Sequence, residues 1–202
     1  LKRFGESGRY DPDLMDIMDA QLIQSGEALF KKRRSFMETF TPIFNTHYSF
    51  ISDDAERVEL VYESQLLSGE FADLLKKNAE KDKALERTTT GIHKDELLFN
   101  IGNMPIKKFG SQGQQKSFLI ALKLAQYSFL YQKKGFKPLL LLDDIFDKLD
   151  HNRVTKLMQM VSNNNFGQVF ITDTSITRVE QIFSGIDVAI TIFKVKGGEI
   201  YA

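Results

Sequence analysis

Cysteine is missing from this sequence altogether, which removes disulfide frameworks and thiolate metal sites from consideration. There is no excess of either charge: Lys plus Arg and Asp plus Glu each total 27, so the formal net charge is zero at pH 7. A chain-wide cationic surface for nucleic acid is thereby excluded, and any such contact must come from a local patch. No apolar run reaches the ~18 residues that a membrane-spanning helix requires. The stretch from Leu1 to Gly8 has neither the apolar core nor the cleavage signal of a secretory leader, and its first residue is Leu, not Met. A cytoplasmic protein preceded by further chain is the expectation. Internal repeats and low-complexity segments are also absent. Apolar residues are plentiful: 42% of the 202 residues are hydrophobic, enough for one good core or two small ones.

Asp11-Pro12 reads as a helix cap followed by proline at the first helical position, where its missing N–H costs nothing. Leu14, Ile17, Met18, Leu22, Leu29, Phe36 and Phe40 then recur at helical spacing. The spacing predicts a helix from Pro12 to at least Arg34, ~35 Å long, with Gly26 and Thr41-Pro42 as expected bends or restarts. Alternation at Val58, Leu60 and Tyr62 predicts a strand, Phe71 to Arg87 a second helix, and Leu97 to Ile101 a strand turned by Gly102-Asn103 into a short strand at Met104 to Ile106. From Gln112 the rhythm becomes αβαβαβ. Helices are expected at Gly113 to Lys133, Asn152 to Ser162 and Ile176 to Phe183, and strands at Leu139 to Leu142, Gln168 to Thr172 and Val188 to Val195, with Gly197-Gly198 as a hairpin turn. Such alternation argues for an α/β layer with a largely parallel sheet.

Two segments carry chemistry. Leu139-Leu140-Leu141-Leu142 is an apolar strand followed at once by Asp143 and Asp144, and ligands of parallel sheets gather at the carboxyl ends of strands. Asp143 is suited to hold Mg²⁺ and Asp144 to orient or deprotonate a water; a core strand ending in a polar loop would look the same. Upstream, Phe109-Gly110-Ser111-Gln112-Gly113-Gln114-Gln115-Lys116 leads straight into a long helix, whose N-terminal N–H groups form a ready anion site. A plain Ser cap after a Gly turn accounts for those residues equally well. Lys31, Lys32, Arg33 and Arg34, and also Lys107 and Lys108, could grip a phosphate backbone, or the first cluster could be a solvated helix face. His93 could meet nucleotide or DNA, or simply satisfy a loop hydrogen bond.

Taken together, the segments resemble ABC-type ATPases. Ser111-Gln112-Gly113-Gln114 is similar to their signature motif, Asp143-Asp144 to their Walker B pair, and Asp147-Lys148-Leu149-Asp150 to their D-loop, in the same order and spacing. The extended form Gly110-Ser111-Gln112-Gly113-Gln114-Gln115-Lys116, with Asp-Asp rather than Asp-Glu, resembles the RecF family, as does Thr90-Gly91-Ile92-His93-Lys94-Asp95-Glu96-Leu97, although Ile92 and Lys94 depart from that family's stretch. The resemblance implies a helical arm with a short strand segment over residues 1–89 and the C-terminal part of an ABC ATPase head over 90–202. It implies that Ser111, Gln112, Gly113, Gln114 and Asp150 face nucleotide, that Asp143 holds Mg²⁺, that Asp144 is the catalytic acid or base, and that Thr172 senses the γ-phosphate or water. It further implies ATP and Mg²⁺ as cofactors, an ATP-dependent homodimer that closes on duplex DNA at single-strand gaps, and help in placing RecA there with RecO and RecR; no membrane partner is implied.

Nothing in the sequence fits Gly-x-x-x-x-Gly-Lys-Ser/Thr, the loop that wraps the β- and γ-phosphates. The resemblance implies a weak ATPase for the intact protein, and without that loop no activity is expected of these 202 residues alone. Other members of the chromosome-maintenance branch, RecN-like or SMC-like, need longer coiled-coil arms than the segment before Thr90 supplies. A transporter ATPase subunit has no place for the long helix at Pro12. A binding module without nucleotide chemistry would not need both Asp143 and Asp144.

Overall fold

The structure, a computed structural model, describes residues 11–162, 166–184, 186 and 189–201. The chain divides into two compact units, one of Leu1–Thr46 and Ala55–Gly110, the other of His47–Asp54 and Ser111–Ala202. No helix among the described residues is long and apolar enough to cross a membrane.

Helix α1, Pro12–Ser52, is a single element of 41 residues; its part up to Thr46 belongs to the first unit and His47–Ser52 to the second. Asp11 caps it, its carboxylate accepting the N–H of Leu14 at 3.1 Å. The bends expected at Gly26 and Pro42 do not interrupt it, and each has a packing reason. A Cβ on Gly26 would lie 2.5 Å from Phe71 Cε1, and one on Gly91, at φ +131°, would lie 2.8 Å from Phe71 Cζ. Both glycines thus make room for the Phe71 ring, which is buried among Leu66, Leu75, Leu22, Ile23, Phe30, Leu74 and Ile92. Pro42 removes one helical hydrogen bond, a loss on the order of 3 kcal/mol. The helix continues through it because Phe40, Phe44, Tyr48 and Ile51, on either side, are all buried.

Strand β1 (Val58–Glu63) pairs antiparallel with β2 (Glu96–Ile101), Leu60 opposite Phe99, and β2 turns through Gly102-Asn103 into β3 (Met104–Pro105). Helix α2 (Phe71–Ala84) lies between β1 and β2 in sequence, and the one-turn α3 (Ile106–Phe109) follows β3. Ile106 therefore begins a helix instead of ending the strand.

In the second unit α4 (Gln112–Lys134) follows Ser111 and stops at Gly135, whose φ is +75°. Its buried face includes Phe118, Ile120, Ala121, Leu124 and Ala125, with the Phe118 ring edge-on to Tyr48 at 5.9 Å. Strands β4 (Leu140–Leu142) and β5 (Val169–Ile171) pair in parallel, Leu141 opposite Phe170. They are joined through α5 (His151–Ser162), which buries Val154, Leu157, Met158 and Met160. Helix α6 (Ile176–Phe183) is capped by Ser175, and β6 (Lys194–Lys196) and β7 (Glu199–Tyr201) form the hairpin around Gly197-Gly198. The strand expected from Val188 to Val195 is shortened: it begins at Lys194, residues 189–193 have no ladder partner among the described residues, and Val188 lies outside them.

His47 belongs to the second unit, where burial pushes its imidazole down to about 4. Its Nε2 lies 2.9 Å from Ser128 Oγ, and its buried Nδ1 has no hydrogen-bond partner among the described residues. Between the ordinary histidine value of 6.5 and about 4, the unfolded chain takes up a proton that the folded chain does not. Stability is accordingly full above pH 6.5 and declines as the pH falls towards 4, by roughly 3 kcal/mol in all. Urea midpoints measured across that window should show the decline, and His47→Leu should flatten it at the cost of stranding the Ser128 hydroxyl. Equal slopes in the two proteins would refute the assignment.

Candidate functional site

Where β4 ends, Thr172 continues the parallel ladder by one rung, its N–H donating to the Leu142 carbonyl at 3.0 Å. That places the Thr172 side chain beside both acids. Its hydroxyl donates a hydrogen bond to Asp143 Oδ1 and accepts the N–H of Asp144 at 3.1 Å. Asp143 is exposed and Asp144 half-buried. The backbone of Asp144 is left-handed, at φ +46°. For a residue with a Cβ this costs about 1 kcal/mol or more and persists only where the surroundings hold it. Here they do: Lys116 Nζ donates to the Asp144 carbonyl at 2.8 Å, so both backbone polar groups of Asp144 are gripped by side chains.

Lys116 comes from the second turn of α4. Ser111 opens that helix with a capping box: its Oγ accepts the Gln114 N–H at 3.2 Å, and Gln114 Oε1 accepts the Ser111 N–H at 2.7 Å. The N–H groups of Gln112 and Gly113 make no hydrogen bond among the described residues, and Ser111 and Gln112 are exposed. The Ser111 hydroxyl proton and those two amides are donors suited to an anion. Gly113 packs close to the loop after β4, since a Cβ there would meet the Lys148 carbonyl at 3.2 Å. Lys148 is also left-handed, at φ +62°.

Asp150 caps α5, accepting the Arg153 N–H at 2.9 Å and the Arg153 Nε at 3.1 Å. Arg153 Nη1 donates in turn to the buried Ser117 hydroxyl at 2.8 Å. After Thr172, Asp173 takes two hydrogen bonds from Arg178, at 3.0 and 2.8 Å, and one from the Ser175 N–H at 2.6 Å. Burial pushes the Asp173 carboxyl up, but these donors and the Arg178 charge together hold it below the usual carboxylate range. Lys116, Arg153, Asp173 and Arg178 were not marked by sequence reasoning as site residues. Only the i to i+3 spacing of Asp150 and Arg153 offered a signal.

Among the described residues no group of three or more His, Cys, Asp and Glu is arranged to hold a metal. That rules an all-protein cage out there, but Mg²⁺ commonly takes one or two carboxylates and completes its shell with phosphate and water. Asp143, exposed and with one oxygen on Thr172, suits that role.

The remaining predicted residues lie in the first unit. Lys31, Lys32 and Arg34 are exposed on α1, with Arg34 paired to Glu38 at 3.1 Å. Arg33 is committed internally: its Nη1 donates to the Ile92 carbonyl at 2.7 Å and to Asp95 Oδ2 at 2.6 Å, where Tyr62 Oη also donates at 2.6 Å. The Asp95 hydrogen bond raises the Arg33 guanidinium above its ordinary value. Lys107 and Lys108 are exposed on α3, and His93 bonds the Thr88 carbonyl at 3.0 Å.

The DNA replication and repair protein RecF of Flavobacterium johnsoniae is 53% identical over 182 residues, 90% of this chain and 51% of that protein. The RecF of Phocaeicola vulgatus is 44% identical over 192 residues, 95% of this chain and 52% of that protein. The chain therefore spans about half the length of the curated relatives it matches. A solved structure of the recombination mediator protein RecF-ATP in the RecFOR pathway matches with a TM-score of 0.71 at 25% identity, over 95% of this chain and 51% of that one. A structure from work on SMC ATPases, at 15% identity and a TM-score of 0.50 over 83% of this chain and 86% of that one, shares the fold. No protein-family model matches the chain.

Proposed function

We propose that this chain, the counterpart of about half of RecF, supplies the signature helix and the acidic strand end of a DNA-repair ATPase that dimerises when ATP binds. The observation that carries the reading is the cluster at the carboxyl ends of β4 and β5. There Asp143, Asp144 and Thr172 are tied together, and the N-terminal part of α4 reaches the same loop through Lys116.

Asp143 would hold Mg²⁺, which supplies charge neutralisation at the phosphates when bound. Asp144, its backbone fixed at both ends, directs its carboxylate as the base or orienting group for water. The Thr172 hydroxyl, which donates a hydrogen bond to Asp143, would register what Asp143 binds. Ser111 and the amides of Gln112 and Gly113 would complete the hydrogen-bond shell of a nucleotide held by a second copy, which makes assembly depend on ATP. Asp150 is occupied by Arg153 within its own chain, so its part at the interface is to fix the end of the loop. Lys31, Lys32, Arg34, Lys107 and Lys108, all exposed, would meet DNA phosphates. Gapped duplex DNA and cooperation with RecO and RecR in placing RecA complete the reading.

Sedimentation of the whole protein with a slowly hydrolysed ATP analogue tests it. A doubling of mass that requires the nucleotide is expected. A protein that stays monomeric with saturating analogue would remove the dimer, and the role given to Ser111 with it.

A further inference from the structure

The first two turns of α4 clasp the loop after β4 at three points. Gly113 lies against the Lys148 carbonyl, Lys116 donates to the Asp144 carbonyl, and Ser117 accepts from Arg153, which also holds Asp150. Positions 113, 116 and 117 are three and four apart and so share one face of the helix. The loop has left-handed residues at Asp144 and Lys148, conformations that do not persist unless held. Of the three contacts, only that of Lys116 acts directly on Asp144. It is a charge-assisted bond from a half-buried ammonium, where water competes weakly.

We propose that Lys116 is a positioning residue that couples the two nucleotide sites of the dimer, passing the docking of this chain's signature helix on the partner's nucleotide to this chain's own Asp144. The inference rests on the ATP-dependent dimer proposed above. Ser111 to Gly113 would meet the partner's site, while Asp144 serves the site of its own subunit, and Lys116 sits one turn from the first and bonded to the second. Any shift of the α4 N-terminus moves Nζ, and with it the carbonyl that keeps Asp144 left-handed. Without that bond only the Thr172 hydroxyl, among the described residues, holds the residue's backbone, and Asp144 relaxes towards ordinary φ, which redirects its side chain.

The test uses the whole protein. Lys116→Met keeps the apolar stem and removes every donor. It is expected to dimerise with a slowly hydrolysed ATP analogue as the wild type does and to keep KM within about twofold, but to lose kcat by about tenfold or more. The wild-type rate should depend sigmoidally on ATP and the variant's hyperbolically, because its sites no longer report to each other. Lys116→Arg, which retains charged donors, should recover kcat to within about threefold of the wild type. Lys116→Gln takes the place of the Met variant if that one melts below the assay temperature. Wild-type kcat in the neutral variant, a hyperbolic wild type, or an Arg variant as slow as the neutral one would each overturn the inference. A wild type that fails to dimerise with ATP would instead remove the reading beneath it.

Discussion

Asp144→Asn in the whole protein is expected to slow ATP hydrolysis by about a hundredfold or more while ATP-driven dimerisation survives. The substitution suits this backbone. Asp144 is left-handed, at φ +46°, and Asn is among the few residues with a Cβ that tolerate that region. Lys116 and Thr172 hold the carbonyl and the amide of residue 144, not its side chain, so both grips persist in the variant. Asp143 keeps its carboxylate and its hydrogen bond from Thr172, leaving the metal-holding role in place. What is lost is the ability to accept a proton at the point where water would be activated. Phosphate release and sedimentation with a slowly hydrolysed analogue separate the two functions. Turnover equal to that of the wild type would show that Asp144 is not the base, and loss of dimerisation would show that its charge serves assembly.

Local features were the legible ones. Ser111 and Gln114 stand in the spacing of a capping box, and the structure makes both of its hydrogen bonds. The apolar run before Asp143 marked β4, the Gly197-Gly198 pair marked the hairpin, and the αβαβα order led to parallel pairing. Features that depend on partners distant in sequence were not legible. Arg33 looks like one of four equivalent cations until Asp95 is brought to it, and Asp95 reaches it because β2 pairs with β1. Gly26 reads as a helix bend until the Phe71 ring fills the space a Cβ would take. Leu139 to Leu142 reads as an apolar strand with no alternation to tell its faces apart, and in the structure Leu141 is 70% exposed, opposite exposed Phe170. Lys116 was legible as part of a motif and not as a clamp, because nothing in spacing links position 116 to the carbonyl of 144.

Ser111→Arg is expected to abolish the ATP-dependent rise in mass, and hydrolysis with it, while barely changing nucleotide affinity of the monomer. The reason lies in what Ser111 does at the head of α4. Its Oγ accepts the Gln114 N–H, which leaves its proton and the amides of Gln112 and Gly113 pointing out of the helix terminus. Arg removes the hydroxyl, forfeits a cap worth about 1 kcal/mol, and sets a long side chain where the partner's γ-phosphate must approach. Asp143, with its hydrogen bond from Thr172, is left in place in the same subunit, so binding of nucleotide to the monomer should be nearly unaltered. Mixing the variant with Asp144→Asn sharpens the test. In a mixed dimer both defects fall in one composite site, and the other site has native Asp144 from one subunit and native Ser111 from the other. Some hydrolysis should therefore return on mixing, if one intact site suffices, above the residual rate of either variant alone. Sedimentation with a slowly hydrolysed ATP analogue reads the assembly step directly. A Ser111→Arg protein that doubles its mass as readily as the wild type would mean that the head of α4 does not face the partner's nucleotide, and the composite site would have to be given up.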